Sequence, residues 1–558
     1  METFKSQKMK KILLLIFIII SNFSFTQNPT ETQKLVVTCK VWGFLKYYHP
    51  KVANGDFNWD NQLFEVLPNI EQAKTNQEFS LVIENWINSL GEIKEIAPIP
   101  TPKDVEYFDK NFNLSWFNNK LFSKKLCKKL KFIEENRFQG SQHYIGGGVT
   151  EMFFIKNENY SEYKYIEKYH RILTFFAYWN IIEYFFPNKY LMDTKWDITL
   201  FEMLPNFINA INEDDFFLAF QKLTVKLNDT HVFFHVYKPK DPTKTLNYFP
   251  ANCRIIDEKI VVTKIYSDSL AKADDIKIGD VITKINDKSI KEIISENRNL
   301  IGGSNEASYL NNLISPTLSS YEDNFKMDFL KDGKINTRII KIYDYHDSHR
   351  NQFLKGYPKL EKFKILENNI GYVNMKRIMV ANIPEMIEKL SNTKAIVFDL
   401  RNYPNATLYD IADFICPSIK PYAIFTYPDL TYPGKFYWSE PNKIGKENPN
   451  NYKGKVIVLV NEQSISQSEE TAMAFQTAPN TTIIGSQTGG ADGNVFQIDF
   501  IKEFITKFTG LGTFYPDRKQ TQRIGIVPDI EVKPTIKGIQ QGRDEVLERA
   551  IQFIETGK

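Results

Sequence analysis

The segment Ser464-Ile-Ser466-Gln-Ser468-Glu469 follows the apolar run Val456-Ile-Val-Leu-Val-Asn461 and leads into Glu470-Thr-Ala-Met-Ala-Phe475. A strand feeding a serine-rich turn that feeds a helix puts a hydroxyl at the helix start. Unpaired backbone amides and the helix dipole there face any negative charge that develops. A nucleophile for acyl transfer needs this setting. The same letters also describe an ordinary cap, in which Ser464 or Ser466 accepts from an amide two or three residues on.

A serine hydroxyl is a weak nucleophile and needs a base. Asp229-Thr230-His231, following Lys226-Leu-Asn, offers one of only seven histidines. An imidazole with an ordinary pKa near 6.5 suits proton transfer around neutrality. His231 is equally readable as a packing histidine, or as a metal pair with His235. Val-Phe-Phe between the two favours a strand, where positions four apart lie about 13 Å apart, so the metal reading is the weaker one. No His-Glu-x-x-His motif occurs, and His346 and His349 sit in a polar stretch that reads as a solvated linker. Cys39, Cys127, Cys253 and Cys416 are spread singly without zinc or redox spacing, and read as isolated thiols. Ile145-Gly-Gly-Gly-Val149 lacks the Gly-Lys-Ser of a phosphate loop, and neither a Gly-x-Ser-x-Gly elbow nor a dinucleotide fingerprint is present. No cofactor or metal is expected.

The elements that must position these residues are readable from pattern. Trp42, Tyr47, Pro50, Trp59, Asp60, Leu63, Phe64, Glu65, Leu67, Pro68 and Asn69 recur as Trp179, Tyr184, Pro187, Trp196, Asp197, Leu200, Phe201, Glu202, Leu204, Pro205 and Asn206, each pair 137 apart. Two copies of a helical module of about 60 residues follow from this register. Their aromatic stripe reads as core. Only the second copy ends in a histidine, His231. From about residue 246 to 342 the text turns to short β-branched strands: Lys259 to Tyr266, the helix start at Ser267, then Gly279-Asp280-Val281-Ile282 and a turn at Asn286-Asp287. The last 200 residues alternate strands (370 to 375, 395 to 400, 455 to 461, 482 to 485) with amphipathic segments (383 to 390, 469 to 476) and finish on a helix from about 543 to 554. Unbroken apolar strands predict a sheet buried on both faces.

Four segments carry a resemblance. The middle stretch resembles a PDZ domain. Strand, Asn, two residues, then Ser-x-Ser-x-Ser-Glu is similar to the active-site signature of the tail-specific (C-terminal processing) proteases. Phe398-Asp-Leu-Arg-Asn-Tyr-Pro-Asn-Ala406 and Ile524-Gly-Ile-Val-Pro-Asp-Ile530 resemble that family's Asp-Leu-Arg turn and Gly-Ile-x-Pro-Asp segment. The resemblance implies an α/β catalytic domain of the ClpP/crotonase type, preceded by a PDZ-like domain and the two helical modules, with Ser466 as nucleophile. It further implies oxyanion donors from the amides of Gln467, Asn405 and Ala406, the last two standing where the family has a Gly pair.

Where the family's Ser-Lys dyad has its lysine, 25 positions after the nucleophile, this chain has Ala491. An alanine takes no proton. The tricorn-like branch uses instead a His preceded by a hydroxyl residue and lying before the PDZ. By that resemblance His231 is the base, Thr230 helps orient it, and Gln522 stands where a Glu would hold the ring.

The 558 residues are 42% hydrophobic and carry 70 basic against 67 acidic residues, with no basic block interleaved with aromatics, so no nucleic-acid partner is expected. Met9-Lys-Lys11, the apolar run 12 to 20 and the polar exit read as a secretory signal cleaved near Thr26, too short to span a membrane. The expected layout is a signal at 1–26, helical repeats at 27–140 and 141–244, a PDZ-like domain at 245–345 and the peptidase domain at 346–558. The expected protein is an exported, periplasmic or secreted serine peptidase acting on unfolded or C-terminal polypeptide segments. The alternative is a catalytically weak or inactive relative that holds peptides or apolar ligands.

Overall fold

The structure, a computed structural model, describes residues 28–100, 102–147, 153–156, 164–236, 245–344, 361–501 and 504–558. The signal-like stretch, His346 and His349 lie outside them. The chain divides into two compact units, one of residues 28–99 and 113–139, the other of residues 100–112 and 140–558.

In the first unit, helices α1 (Glu31–Tyr48), α2 (Trp59–Gln72) and α3 (Asn76–Ser89) pack around Trp42 and Trp59. Each indole Nε1 donates to the other tryptophan's carbonyl, at 3.4 and 3.0 Å. Lys34 Nζ reaches the carbonyls of Ile70, Glu71 and Ala73 at the end of α2, at 2.7 to 2.8 Å. A buried cation there satisfies orphan acceptors at the negative end of the dipole.

The second unit opens with the same device 137 residues on. Helices α4 (Lys168–Phe185), α5 (Trp196–Ile208) and α6 (Glu213–Val225) repeat the bounds of α1 to α3 almost residue for residue. Trp179 and Trp196 exchange the same reciprocal bonds at 3.1 and 3.0 Å, and Arg171 takes the place of Lys34 on the carbonyls of Phe207 and Ile208. Residues 100–112, counted with the first repeat from sequence, belong to this second unit because Tyr107 and Phe108 pair antiparallel with Tyr437 and Phe436. After α6 the chain turns through 229–231 into β1 (Phe233–Val236).

The PDZ-like region is an antiparallel sheet. Strands β2 (Ala251–Ile256), β3 (Lys259–Ile265) and β4 (Val281–Ile285) precede helix α7 (Glu306–Thr317), and β5 (Asn324–Lys331) and β6 (Lys334–Lys341) follow it, in the order β6-β5-β4-β3-β2. Cys253, Ile260, Val262, Ile282, Leu313 and Met327 fill its core.

A second six-stranded sheet leads to Ser466. In chain order its strands are β7 (Phe363–Leu366), β8 (Ile370–Asn374), β9 (Ala395–Asp399), β10 (Lys455–Val460) and β11 (Thr481–Gly485), with β12 (Val495–Ile501) and β13 (Phe504–Thr509) forming a hairpin beside it and β14 (Ile530–Glu531) at its edge. The order is β7-β8-β9-β10-β11-β14, parallel from β8 onward. Helices α8 (Ile383–Leu390), α9 (Leu408–Ile415) and α10 (Gln467–Phe475) cover one face around Val373, Phe398 and Val458. Helix α11 (Glu545–Thr556) covers the other around Val397, Ile457 and Leu459. Both faces are buried, which is why the strands read as unbroken apolar runs. Hairpin strand β13 pairs with β1, Lys507 opposite Phe233, and two residues further that register brings Thr509 to His231.

Candidate active site

Ser466 stands between β10 and α10 with φ +55° and ψ −124°, a left-handed backbone that a serine adopts only at a cost of about 1–3 kcal/mol. It makes no side-chain cap bond. Its neighbours are engaged structurally: Ser464 Oγ donates to the Leu400 carbonyl at 2.7 Å and accepts from the Asn461 amide, and Ser468 Oγ donates to the Asn402 carbonyl at 3.2 Å. Of the three serines, only the middle one donates its hydroxyl to no acceptor among the described residues.

The turn is clamped from below. The Ser466 amide donates to the Ala491 carbonyl at 2.8 Å and to Glu469 Oε2 at 3.3 Å. Glu469 is fully buried and also accepts from the amides of Gly490 (2.8 Å) and Ala491 (3.0 Å) and from Thr488 Oγ1. Burial pushes its carboxyl up to about 7 against these donors, which favour the charged form. Asp492 follows Ala491 in the same loop. Burial, then the Glu469 and Glu470 carboxylates, push it well above the usual carboxylate range.

The amide of Gln467, the first residue of α10, and that of Ala406 have no backbone or side-chain acceptor among the described residues, and both are open to a ligand oxygen. Asn405 departs from expectation. Its amide donates to the Met375 carbonyl at 3.1 Å and its side chain to the Lys376 and Ile378 carbonyls, so it braces the turn and leaves the donor role to its neighbour.

His231 lies in the same unit as Ser466, and the loop 488–491 joins their two turns. Thr230 Oγ1 donates to the Gly489 carbonyl at 2.7 Å, while Ser466 holds Ala491 two residues further on. No hydrogen bond links Ser466 to His231 among the described residues, as is common in ligand-free sites whose catalytic contacts tighten on binding. His231 Nδ1 is 2.9 Å from Thr509 Oγ1. Burial lowers its pKa and the nearby Asp229 carboxylate raises it, with burial the larger effect.

Two sequence assignments change here. Gln522 does not touch the imidazole; its Nε2 donates to Asp229 Oδ1 at 3.1 Å. Thr230 does not orient the ring either: it exchanges bonds with Ser304, its amide donating to Ser304 Oγ at 2.8 Å and its Oγ1 accepting from the Ser304 amide at 2.9 Å. The residues the sequence reading missed are Asp229, present in the motif but given no role, and Thr509, which nothing in its own neighbourhood marks. His235 sits on β1, stacked against Phe233. Beside the nucleophile turn a cavity of about 450 Å³ lies between the PDZ sheet and the catalytic domain, lined among others by Asn252, Arg254, Lys264, Arg401 and Gln463.

Residues 369–532 match Peptidase family S41 and residues 243–304 match the PDZ domain. A curated Staphylococcus haemolyticus protein, "Probable CtpA-like serine protease", is 26% identical over 308 residues, 53% of this chain and 56% of that one. The chain thus spans about half the length of this relative. Among solved structures, mature CPAF complexed with lactacystin superposes with a TM-score of 0.53 at 13% identity, covering 69% of this chain and 98% of that one. A CPAF mutant gives 0.54 at 14% identity, covering 69% and 98%. At such identity these two likenesses speak for the fold. With an S41 peptidase match on the sheet that carries Ser466 and a PDZ match ahead of it, the chain is similar over these segments to the tail-specific proteases.

Proposed function

We propose that the protein is a serine peptidase of the tricorn-like type, in which Ser466 is the nucleophile and His231 the general base. The observation that carries this reading is Ser466 on a left-handed turn, its hydroxyl donating to no acceptor among the described residues, followed by the unpaired Gln467 amide and tied to a loop that also holds the His231 turn. Ser466 Oγ attacks the scissile carbonyl as His231 takes its proton. The oxyanion sits against the amides of Gln467 and Ala406. His231 then protonates the departing amine, the C–N bond breaks, and water hydrolyses the acyl-enzyme with His231 again as base. Polypeptide is the substrate class, with unfolded or C-terminal segments reaching the site past the PDZ domain. Export to the periplasm or outside the cell is part of the same reading. No helix among the described residues is long and apolar enough to cross a membrane.

A fluorophosphonate probe tests it. Labelling and casein cleavage are expected in the wild type and lost in Ser466→Ala and His231→Ala. Labelling that persists in Ser466→Ala, or a folded wild type that neither labels nor cleaves, would favour a peptide-holding protein without turnover.

A further inference from the structure

Asp229 is fully buried, and no cationic side chain pairs with it among the described residues. It is held by neutral donors. Thr509 gives it both groups, the amide to Oδ2 at 2.6 Å and the hydroxyl to Oδ1 at 2.8 Å; the His231 amide and Gln522 Nε2 reach Oδ1, each at 3.1 Å. All four of these groups are donors, so the carboxylate is the acceptor at every contact.

This fixes the direction of the chain of bonds. The single Thr509 hydroxyl proton points to Asp229, so the oxygen of Thr509 has only lone pairs to offer His231 Nδ1 at 2.9 Å. Nδ1 must carry the ring proton. Nε2 is then the free base.

Resting on the proposed peptidase reading, we propose that Asp229 is the acidic positioning residue of the site and acts on His231 through the hydroxyl of Thr509. When His231 Nε2 takes the Ser466 proton, the imidazolium charge is met by Nδ1–H···Oγ–H···carboxylate, and the proton later leaves from Nε2 to the amine. Gln522 has a defined part in this scheme: its amide gives Asp229 a donor at 3.1 Å, where a carboxylate at 522 would set a second acceptor against the first.

The test combines rates with a tautomer measurement on the full-length protein. Relative to wild type, Asp229→Asn and Thr509→Val are expected to slow Ser466 labelling, per folded molecule, by roughly 100- to 1,000-fold, and Thr509→Ser by no more than about threefold. Gln522→Glu is expected to slow it about tenfold or more. In ¹⁵N spectra of histidine-labelled protein His231 is expected as the Nδ1–H tautomer in the wild type and as a mixture in Thr509→Val, a change that a merely structural role for Thr509 would not produce. Unchanged labelling in folded Thr509→Val, faster labelling in Gln522→Glu, or an Nε2–H tautomer in the wild type overturns the relay. A wild type that shows the Nδ1–H tautomer yet never labels at Ser466 overturns the peptidase reading and leaves the relay standing.

Discussion

The amide of Ser466 donates to the carbonyl of Ala491 at 2.8 Å. The residue standing where processing proteases of this type carry a lysine is therefore a backbone anchor for the nucleophile. Its methyl is fully buried and its amide is held by Glu469. The loop supplies position, and in the proposed mechanism proton transfer falls to the turn tied to the same loop two residues earlier, through Thr230 and Gly489.

The backbone of Ser466 makes stability and chemistry opposed. At φ +55° a glycine is unstrained and an alanine is not. Ser466→Gly is expected to unfold at a higher temperature than Ser466→Ala, by about 1 kcal/mol in stability, while both lose labelling. Thermal melts of the two variants side by side check this; equal melting would mean the turn is relaxed.

The base must be neutral to act, and burial holds the His231 pKa below 6.5 despite the opposing Asp229 carboxylate. As pH falls, the ring therefore protonates later than an exposed histidine would. The acid limb of the Ser466 labelling rate is expected to have an apparent pKa below 6.5, and to move lower still in any residual activity of Asp229→Asn, which loses the group that favours the imidazolium. Labelling rates from pH 4 to 9 measure both.

Asp492 is sealed between Glu469 and Glu470, and its folded pKa is raised above the ordinary 3.8. The unfolded chain releases this proton first as pH rises, so ionisation favours unfolding from about pH 4 upward. Asp492→Asn removes the titration. The variant is expected to match wild type near pH 4 and to melt several degrees higher at pH 8, as read by calorimetry at the two pH values.

What was legible in the sequence was what is local or repeated. The apolar strand, the serine turn and the helix after it are contiguous, and the 137-residue register foretold two copies of one helical module, in which the ends of the three helices agree within a residue. Gln522 was expected to hold the ring of His231, and its side-chain amide is bonded to Asp229 instead. The bond that decides its role runs to Asp229, 293 positions away, and Thr509 lies 280 positions from the same carboxylate. Strand β13 brings Thr509 there by pairing with β1, and neither strand's own letters name its partner. Asn405 was misjudged for a related reason: its amide meets Met375, whose proximity comes from the parallel pairing of β8 and β9.

Ser304, the last residue of the PDZ match, seats the His231 turn. It is 1% exposed and exchanges two bonds with Thr230, while Asn305 Nδ2 donates to the carbonyls of Thr488 and Arg523 at 2.9 and 3.3 Å. Ser304→Ala strands the buried Thr230 amide, at a cost of about 1–3 kcal/mol. It is expected to slow labelling roughly tenfold, the scale on which a misplaced base is felt, with Ser466 untouched. A rate equal to wild type in a folded Ser304→Ala protein would make the PDZ edge a bystander.

His49 makes the first unit acid-sensitive. It is fully buried, neither ring nitrogen has a hydrogen-bond partner among the described residues, and burial, followed by Lys51 and Lys129, lowers its pKa to about 4. Its counterpart in the second repeat, 137 residues on, is Phe186. The neutral ring costs nothing in charge above pH 6.5. Below that the unfolded chain binds a proton that the folded unit refuses, so stability falls as pH drops from about 6.5 to 4, by up to about 3 kcal/mol for a shift of this size. His49→Phe keeps an aromatic ring in the same place without the titration. It is expected to melt close to wild type at pH 8 and well above it at pH 4.5. An equal loss on acidification in both proteins, followed by the fluorescence of the buried Trp42 and Trp59, would assign the acid sensitivity to other groups.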